Sequence, residues 1–155
     1  MDEKQKEVYE LIIDVLKSHE FTYEENEENN SLSISLVGND LDIPVLFNID
    51  EDYNCIELFS SLPFSITKEK LTDLIIACNV LNERIPCGRF FVSVVANSVI
   101  YRNELIFEDS IVSEKAVESL ISLSLDIIDR YNEKLFGLNC NIIDLDGFLK
   151  LLLSE

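Results

Sequence analysis

The chain has 155 residues, 47% of them hydrophobic, and its 30 Asp and Glu against 12 Lys and Arg give a formal net charge of −18. This length suits one domain with a sizeable core. Nucleic acids and anionic membranes are excluded as favoured partners, because both bind proteins through cationic side chains that neutralise phosphate. The chain begins without a cationic segment followed by an apolar run, and no apolar stretch approaches the roughly 20 residues of a membrane span. We therefore expect a cytoplasmic protein.

Residues that could perform chemistry are few and scattered. The four cysteines, Cys55, Cys78, Cys87 and Cys140, form no C-x-x-C pair, and the one histidine, His19, lies near none of them. Zinc sites normally show short paired spacings, and a nucleophile needs a base beside it. The four glycines are not clustered as a phosphate-binding loop requires. The sequence predicts no enzyme, no cofactor and no metal site, with Cys55 and Cys78 as small core residues.

The first third of the chain predicts a helix followed by a meander of strands. Apolar residues at a spacing of three and four predict a helix over 2–18. Residues 21–23 predict a short strand or a lead-in. The acidic run 24–30 is typical of a solvated loop, with contact to a cation or a basic peptide as the alternative. Strict alternation then predicts a strand over 31–36, alternation again predicts one over 43–49, and an apolar run predicts a third over 55–60. Their short connections make them antiparallel.

The central segment, 67–85, is predicted to be a helix with Thr67 as its N-cap. It is apolar nearly all round. The face predicted to be buried carries Leu71, Leu74, Ile75, Cys78, Leu81 and Ile85, and the opposite side carries Ile76, Ala77 and Val80. Such a helix must be covered twice, by its own sheet and by something else. We therefore predict that Ile76, Ala77 and Val80 contact a partner or a second copy of the chain.

The remaining segments complete an α+β pattern. Strands are predicted over 89–96 and 99–107 around a tight turn at Asn97 and Ser98, followed by a long helix that Ser113 begins and Gly137 ends. A short helix over 144–153 adds Phe148 and Leu152 to the predicted contact residues. The prediction is a single domain over 1–137 with an extension over 138–155 that packs on the domain or on a partner. Its fold is an antiparallel sheet of about five strands with helices beside it, in the order α-β-β-β-α-β-β-α plus the short helix.

Four polar residues around the end of the central helix are less easily explained as ordinary solvent-exposed residues. Asn82 is predicted near the middle of the apolar helical face with Asn79 at its margin, so Asn82 either fastens the helix to a strand or contacts a ligand. Arg84 and Arg89 flank the turn at 86–88 in a chain with few cations. They either pair with the acidic excess or bind a carboxylate of a partner.

The segment Asn79-Val-Leu-Asn-Glu-Arg-Ile-Pro-Cys-Gly-Arg-Phe90 resembles the YbjN-like family, bacterial proteins labelled as sensory transduction regulators. That family carries an Asn-containing apolar helix leading into a Gly-Arg/Lys-Phe strand start, then a second strand and a leucine-rich helix, here 99–107 and 113–136. The resemblance covers roughly residues 4–137, and the extension 138–155 departs from it. The family's fold resembles the type III secretion chaperones. The resemblance implies an acidic α+β domain, commonly dimeric, that binds other protein segments and performs no catalysis.

Two functional hypotheses follow. The first is a non-enzymatic, chaperone-like binding or regulatory domain. It would act as a homodimer and could take a basic or amphipathic client segment, for instance as an added strand. The second is a regulator that responds to a small molecule or a metal, with a pocket between the sheet and the central helix near Asn82 and Arg89.

Overall fold

The computed structural model describes residues 1–26 and 28–154, and it has the predicted α+β fold with one strand more than expected. Glu27, in the run predicted as a loop, and Glu155, at the end of the predicted extension, lie outside the described residues. The elements in chain order are α1 (Glu3–Ser18), β1 (Tyr23–Asn26), β2 (Ser31–Val37), β3 (Asp42–Asp50), β4 (Cys55–Ser61), a 3-10 turn (Lys68–Lys70), α2 (Leu71–Asn82), β5 (Arg89–Ser93), β6 (Ser98–Ile106), α3 (Glu114–Asn139) and α4 (Leu145–Leu153).

The described strands form one antiparallel sheet in the order β1-β2-β3-β4-β6-β5. The additional strand, β1, begins in the predicted short strand and continues into the acidic run. Glu24 lies opposite Ser33 and Asn26 lies opposite Ser31. The prediction of a loop for 24–26 was wrong because pairing with β2 satisfies backbone groups that an edge would otherwise expose. Tyr23 also contributes to the core at the start of the strand.

The helices cover one face of the sheet. Because side chains alternate along a strand, every second residue of β2, β3, β4 and β6 enters the core between the sheet and α1 and α3, and representative fully buried members are Leu32, Phe47, Leu58 and Tyr101. The intervening residues project to the opposite side, which we call the open face. It carries Ser33, Leu46, Phe59 and Arg102, none of which is fully buried.

Two predicted helix ends differ from the structure. Thr67 precedes the 3-10 turn and makes no capping hydrogen bond with its side chain, so α2 begins only at Leu71. Helix α3 continues through Gly137 to Asn139, and the left-handed residue that follows it is Asn141 (φ 58°). The N–H of Ile142 donates to the carbonyl of Gly137 at 2.8 Å, the long hydrogen bond of a Schellman ending. Asn141 therefore takes the role predicted for Gly137, since asparagine tolerates this conformation.

The short C-terminal helix α4 packs against α2 and α3 of the same chain. Phe148 and Leu152 are completely buried and belong to the same core as the sheet. Asp144 caps this helix by accepting a hydrogen bond from the N–H of Gly147 at 2.7 Å. Residues 145–153 thus supply the second cover that the apolar helix α2 needs.

Candidate functional site

Some of the residues predicted to contact a partner are buried within the chain, and others lie at its surface. Ala77, Phe148 and Leu152 are buried within the chain, so they are not available at its surface. Ile76 is 39% exposed and Val80 is partly buried. Ile75, which the sequence placed on the buried side, is 49% exposed, because the buried stripe of α2 runs through Leu74, Ala77, Cys78 and Leu81. A role in partner contact stays a prediction for Ile76 and Val80.

Asn82 fastens the end of α2 to strand β5. Its Nδ2 donates to the carbonyl oxygen of Phe90 at 2.9 Å, and the N–H of Phe90 donates to its Oδ1 at 2.8 Å. Asn82 is exposed rather than in the middle of the buried face, and Asn79 is exposed one turn earlier. Both hydrogen-bonding groups of the Asn82 amide are therefore used to hold the outer edge of β5.

Arg89 belongs to a group of charged side chains on the open face, whereas Arg84 is exposed after the end of α2. Arg89 Nη2 lies 3.4 Å from Glu104 Oε1. Arg102 forms ion pairs with both Glu57 and Glu104 and stacks over the ring of Phe59, 5.2 Å from its centroid. These two arginines are thus paired with acidic residues of the same chain.

The open face has a row of directly opposed residues, one from each strand. Following the strand order from β1 to β5, the row reads Glu24, Ser33, Leu46, Phe59, Arg102 and Arg89. One end is acidic, the centre is apolar, and the other end holds the ion pairs. A neighbouring row extends the apolar centre through Pro44, Ile100 and Phe91, each partly exposed.

Two depressions mark this surface. The larger, of about 690 Å³, has an apolar floor formed by Pro44, Leu46, Phe59 and Ile100 and a rim that includes Glu24. The smaller, of about 420 Å³, is lined mainly by polar and acidic residues, namely Glu24, Glu25, Asn26, Glu28, Ser31 and Ser33, together with Leu46. Because Glu24, Ser33 and Leu46 line both, the depressions form one continuous surface.

Leu46, Phe59 and Ile100 were not predicted to be functional residues, whereas Glu24 belongs to the acidic run for which contact with a cation or a basic peptide was the alternative. A signal was present in the alternation of the strands: Leu46 and Phe59 are apolar, whereas Asn48 and Glu57, each two residues away along the same strand, are polar. Which of these positions become neighbours depends on strand order and register, which the local pattern does not specify.

The two buried cysteines are unsuited to nucleophilic chemistry at neutral pH. Burial raises the pKa of the Cys78 thiol to about 12, and burial with nearby carboxylates raises the pKa of the Cys55 thiol to about 11, so both stay protonated. Among the described residues, no His, Cys, Asp and Glu side chains are grouped so that three or more could hold a metal ion. Within 1–26 and 28–154, no helix has both the length and the hydropathy that crossing a bilayer requires.

Solved structures with this fold include a protein named YbjN and two protein complexes. E. coli YbjN superposes with a TM-score of 0.64 at 10% identity, covering 85% of this chain and 91% of its own. The HopA1–SchA chaperone–effector complex superposes with a TM-score of 0.63 at 11% identity, covering 86% of this chain and 98% of the matched chain. The ExsC–ExsE complex superposes with a TM-score of 0.61 at 13% identity, covering 87% of this chain and 97% of the matched chain. At these identities the likeness concerns the fold.

No curated protein matches the chain in sequence. A family model does, over residues 9–136, which include most of α1, the whole sheet, α2 and most of α3. The expected resemblance and the expected chaperone-like fold are therefore confirmed: the chain belongs to the YbjN family, described as "Putative bacterial sensory transduction regulator".

Proposed function

We propose that this protein is a non-enzymatic binding domain of the cytoplasm whose open face holds a segment of another polypeptide. The observation that carries the proposal is the apolar centre of that face. Leu46 is 42% exposed and adjoins the partly exposed ring of Phe59 across the strands. A sheet face that meets only water is normally polar, so a depression with an apolar floor in the middle of it favours a partner.

The structural neighbours support the same reading. The SchA complex is named as a chaperone with its effector, and ExsC is likewise seen in complex with ExsE. By analogy, an acidic domain with this fold serves as a platform for other chains. Its contribution is an apolar surface that is already formed, so that binding orders the partner rather than the platform.

We further propose that the protein self-associates as a homodimer through the exposed side of α2. Ile75 and Ile76 are adjacent large apolar residues on this helix, and Val80 lies one turn further along. In a dimer with two-fold symmetry, the exposed side of α2 would pack against the same side of the second copy. Both copies of each apolar residue would then be removed from water. The open face and the exposed side of α2 are separate surfaces, and dimerisation leaves the first free for a client.

The binding role is tested with an unbiased library of displayed 20-residue peptides, selected against the purified full-length protein. We expect selected peptides to protect the backbone amides of β3, β4 and β6 from hydrogen exchange when bound. A matched pair of variants checks the location: Leu46→Ser weakens binding, and Leu153→Ser, which removes an exposed leucine of α4, does not. Failure to select any binder, or protection confined to the helices, would refute this function.

A regulator that responds to a small molecule is the second candidate. The observation in its favour is the volume of the larger depression, about 690 Å³, which lies within the range of ligand pockets. The pocket predicted beside α2 is a less suitable site for a small molecule, because the side-chain amide of Asn82 already hydrogen-bonds to the backbone of Phe90. A rise in melting temperature with a metabolite library, abolished by Leu46→Ser, would favour this candidate; a rise only with peptides would favour the first.

A further inference from the structure

We propose that the segment held on the open face is cationic and amphipathic. Its apolar side chains lie over Leu46 and Phe59, and its Lys or Arg side chains lie over Glu24 and Glu28. This inference rests on the proposed binding function and adds the chemistry and the orientation of the bound segment. It follows from how charge and apolar surface are arranged along one row of the sheet.

The distances suit a single short segment. Leu46 lies two strands away from Glu24, which corresponds to about 10 Å across the sheet. An apolar side chain seated on Leu46 therefore leaves a basic residue one helical turn away within reach of the Glu24 carboxylate, because that turn spans about 5.4 Å and the Lys or Arg side chain covers the rest. Because Glu24, Ser33 and Leu46 line both depressions, the apolar depression and the acidic one adjoin.

The charges give the segment its sign. Glu24 and Glu28 are exposed, and no ion pair within the described part of the chain involves either of them. At the other end of the row, Arg102 is neutralised by Glu57 and Glu104, and Arg89 is paired with Glu104. A cation can thus bind at the β1 end without breaking an existing pair, whereas an anion would have to compete for arginines already engaged. The net charge of −18 attracts cationic segments from a distance.

Three synthetic 16-residue peptides separate the two contributions. The first carries, along one helical face, leucine in one half and lysine in the other; the second replaces lysine by glutamate, and the third replaces leucine by serine. Binding is measured by fluorescence anisotropy of the labelled peptides with the full-length protein at low salt and at high salt. We expect the first peptide to bind at least about tenfold more tightly than either of the others, and its affinity to fall as salt is added.

Matched variants place the binding on the sheet. We expect Leu46→Ser to weaken the leucine–lysine peptide about tenfold and Leu153→Ser to leave it unchanged. The double variant Glu24→Gln with Glu28→Gln should weaken it severalfold at low salt and little at high salt. The control, Glu10→Gln with Asp14→Asn, alters the net charge equally on the exposed side of α1, beyond the other face of the sheet, and should have no such effect. All of these positions are exposed, and circular dichroism verifies that each variant is folded.

The outcomes separate this inference from the proposed function. If the library selection yields binders on the open face whose sequences are neutral or acidic, the function stands and the inference is wrong. Equal weakening by both charge doubles would mean attraction by net charge alone, which also overturns the inference. If Leu46→Ser abolishes the dimer instead of peptide binding, the occupant of the open face is a second copy, and again the inference fails. Enrichment of Lys or Arg beside apolar residues among the selected binders supports it.

Discussion

Replacing Asn82 by alanine removes a side chain that joins the end of α2 to β5 through two hydrogen bonds, at 2.8 and 2.9 Å, with Phe90. A hydrogen bond of this kind contributes about 1 kcal/mol net, so the pair stabilises the fold by about 2 kcal/mol. The higher helix propensity of alanine offsets at most about 0.6 kcal/mol, and less at the last helical position. We therefore expect Asn82→Ala to lower the free energy of unfolding by about 1.5–2 kcal/mol.

Urea unfolding followed by circular dichroism measures this change. With a slope of about 2 kcal/mol per molar urea, the midpoint should fall by about 0.7–1 M. Asn79→Ala is the matched control, because it makes the same exchange on the same helix at an exposed position, and we expect it to be neutral or slightly stabilising. If both variants unfold at the same midpoint, the fastening role of Asn82 is refuted.

Three further predictions concern other parts of the molecule. Gly88→Ala should lower the free energy of unfolding by at least about 3 kcal/mol, measured in the same urea assay, because φ is +65° and a Cβ would collide with the buried ring of Tyr101; a milder loss would show that this turn can rearrange. Ile76→Asp should convert a dimer into a folded monomer in light scattering at tens of micromolar, and a dimer that tolerates this change would exclude the α2 interface. The free energy of unfolding should fall as pH rises from about 9 toward 12, because the thiols of Cys55 and Cys78 have a pKa near 9.0 in the unfolded chain but about 11 and about 12 in the folded chain. The double variant Cys55→Ala with Cys78→Ala should flatten this dependence on pH, and an unchanged dependence would contradict the prediction.

Regular patterns in the sequence were sufficient for most elements. The spacing of three and four in α1, α2 and α3 and the alternation in β2 and β3 have physical causes that act within one segment, so their existence could be predicted. The predicted bounds of α1 and α4 lie within one residue of those in the structure. The prediction was less accurate where tertiary contacts override local preference: β1 forms in an acidic run because β2 offers its edge, and α3 passes Gly137 because Asn141 ends it instead.

The amino-acid pattern alone was enough to predict an acidic α+β domain, an α2 that needs cover on two sides, and a resemblance to the YbjN family. What supplies that cover depends on how distant segments pack: α4 folds back over α2, so Phe148 and Leu152 lie in the core instead of at an interface. The proposed binding surface likewise follows from the tertiary structure. Glu24, Leu46 and Phe59 come from three separate strands, and the register that aligns them is set by packing across the whole sheet, which no local pattern encodes.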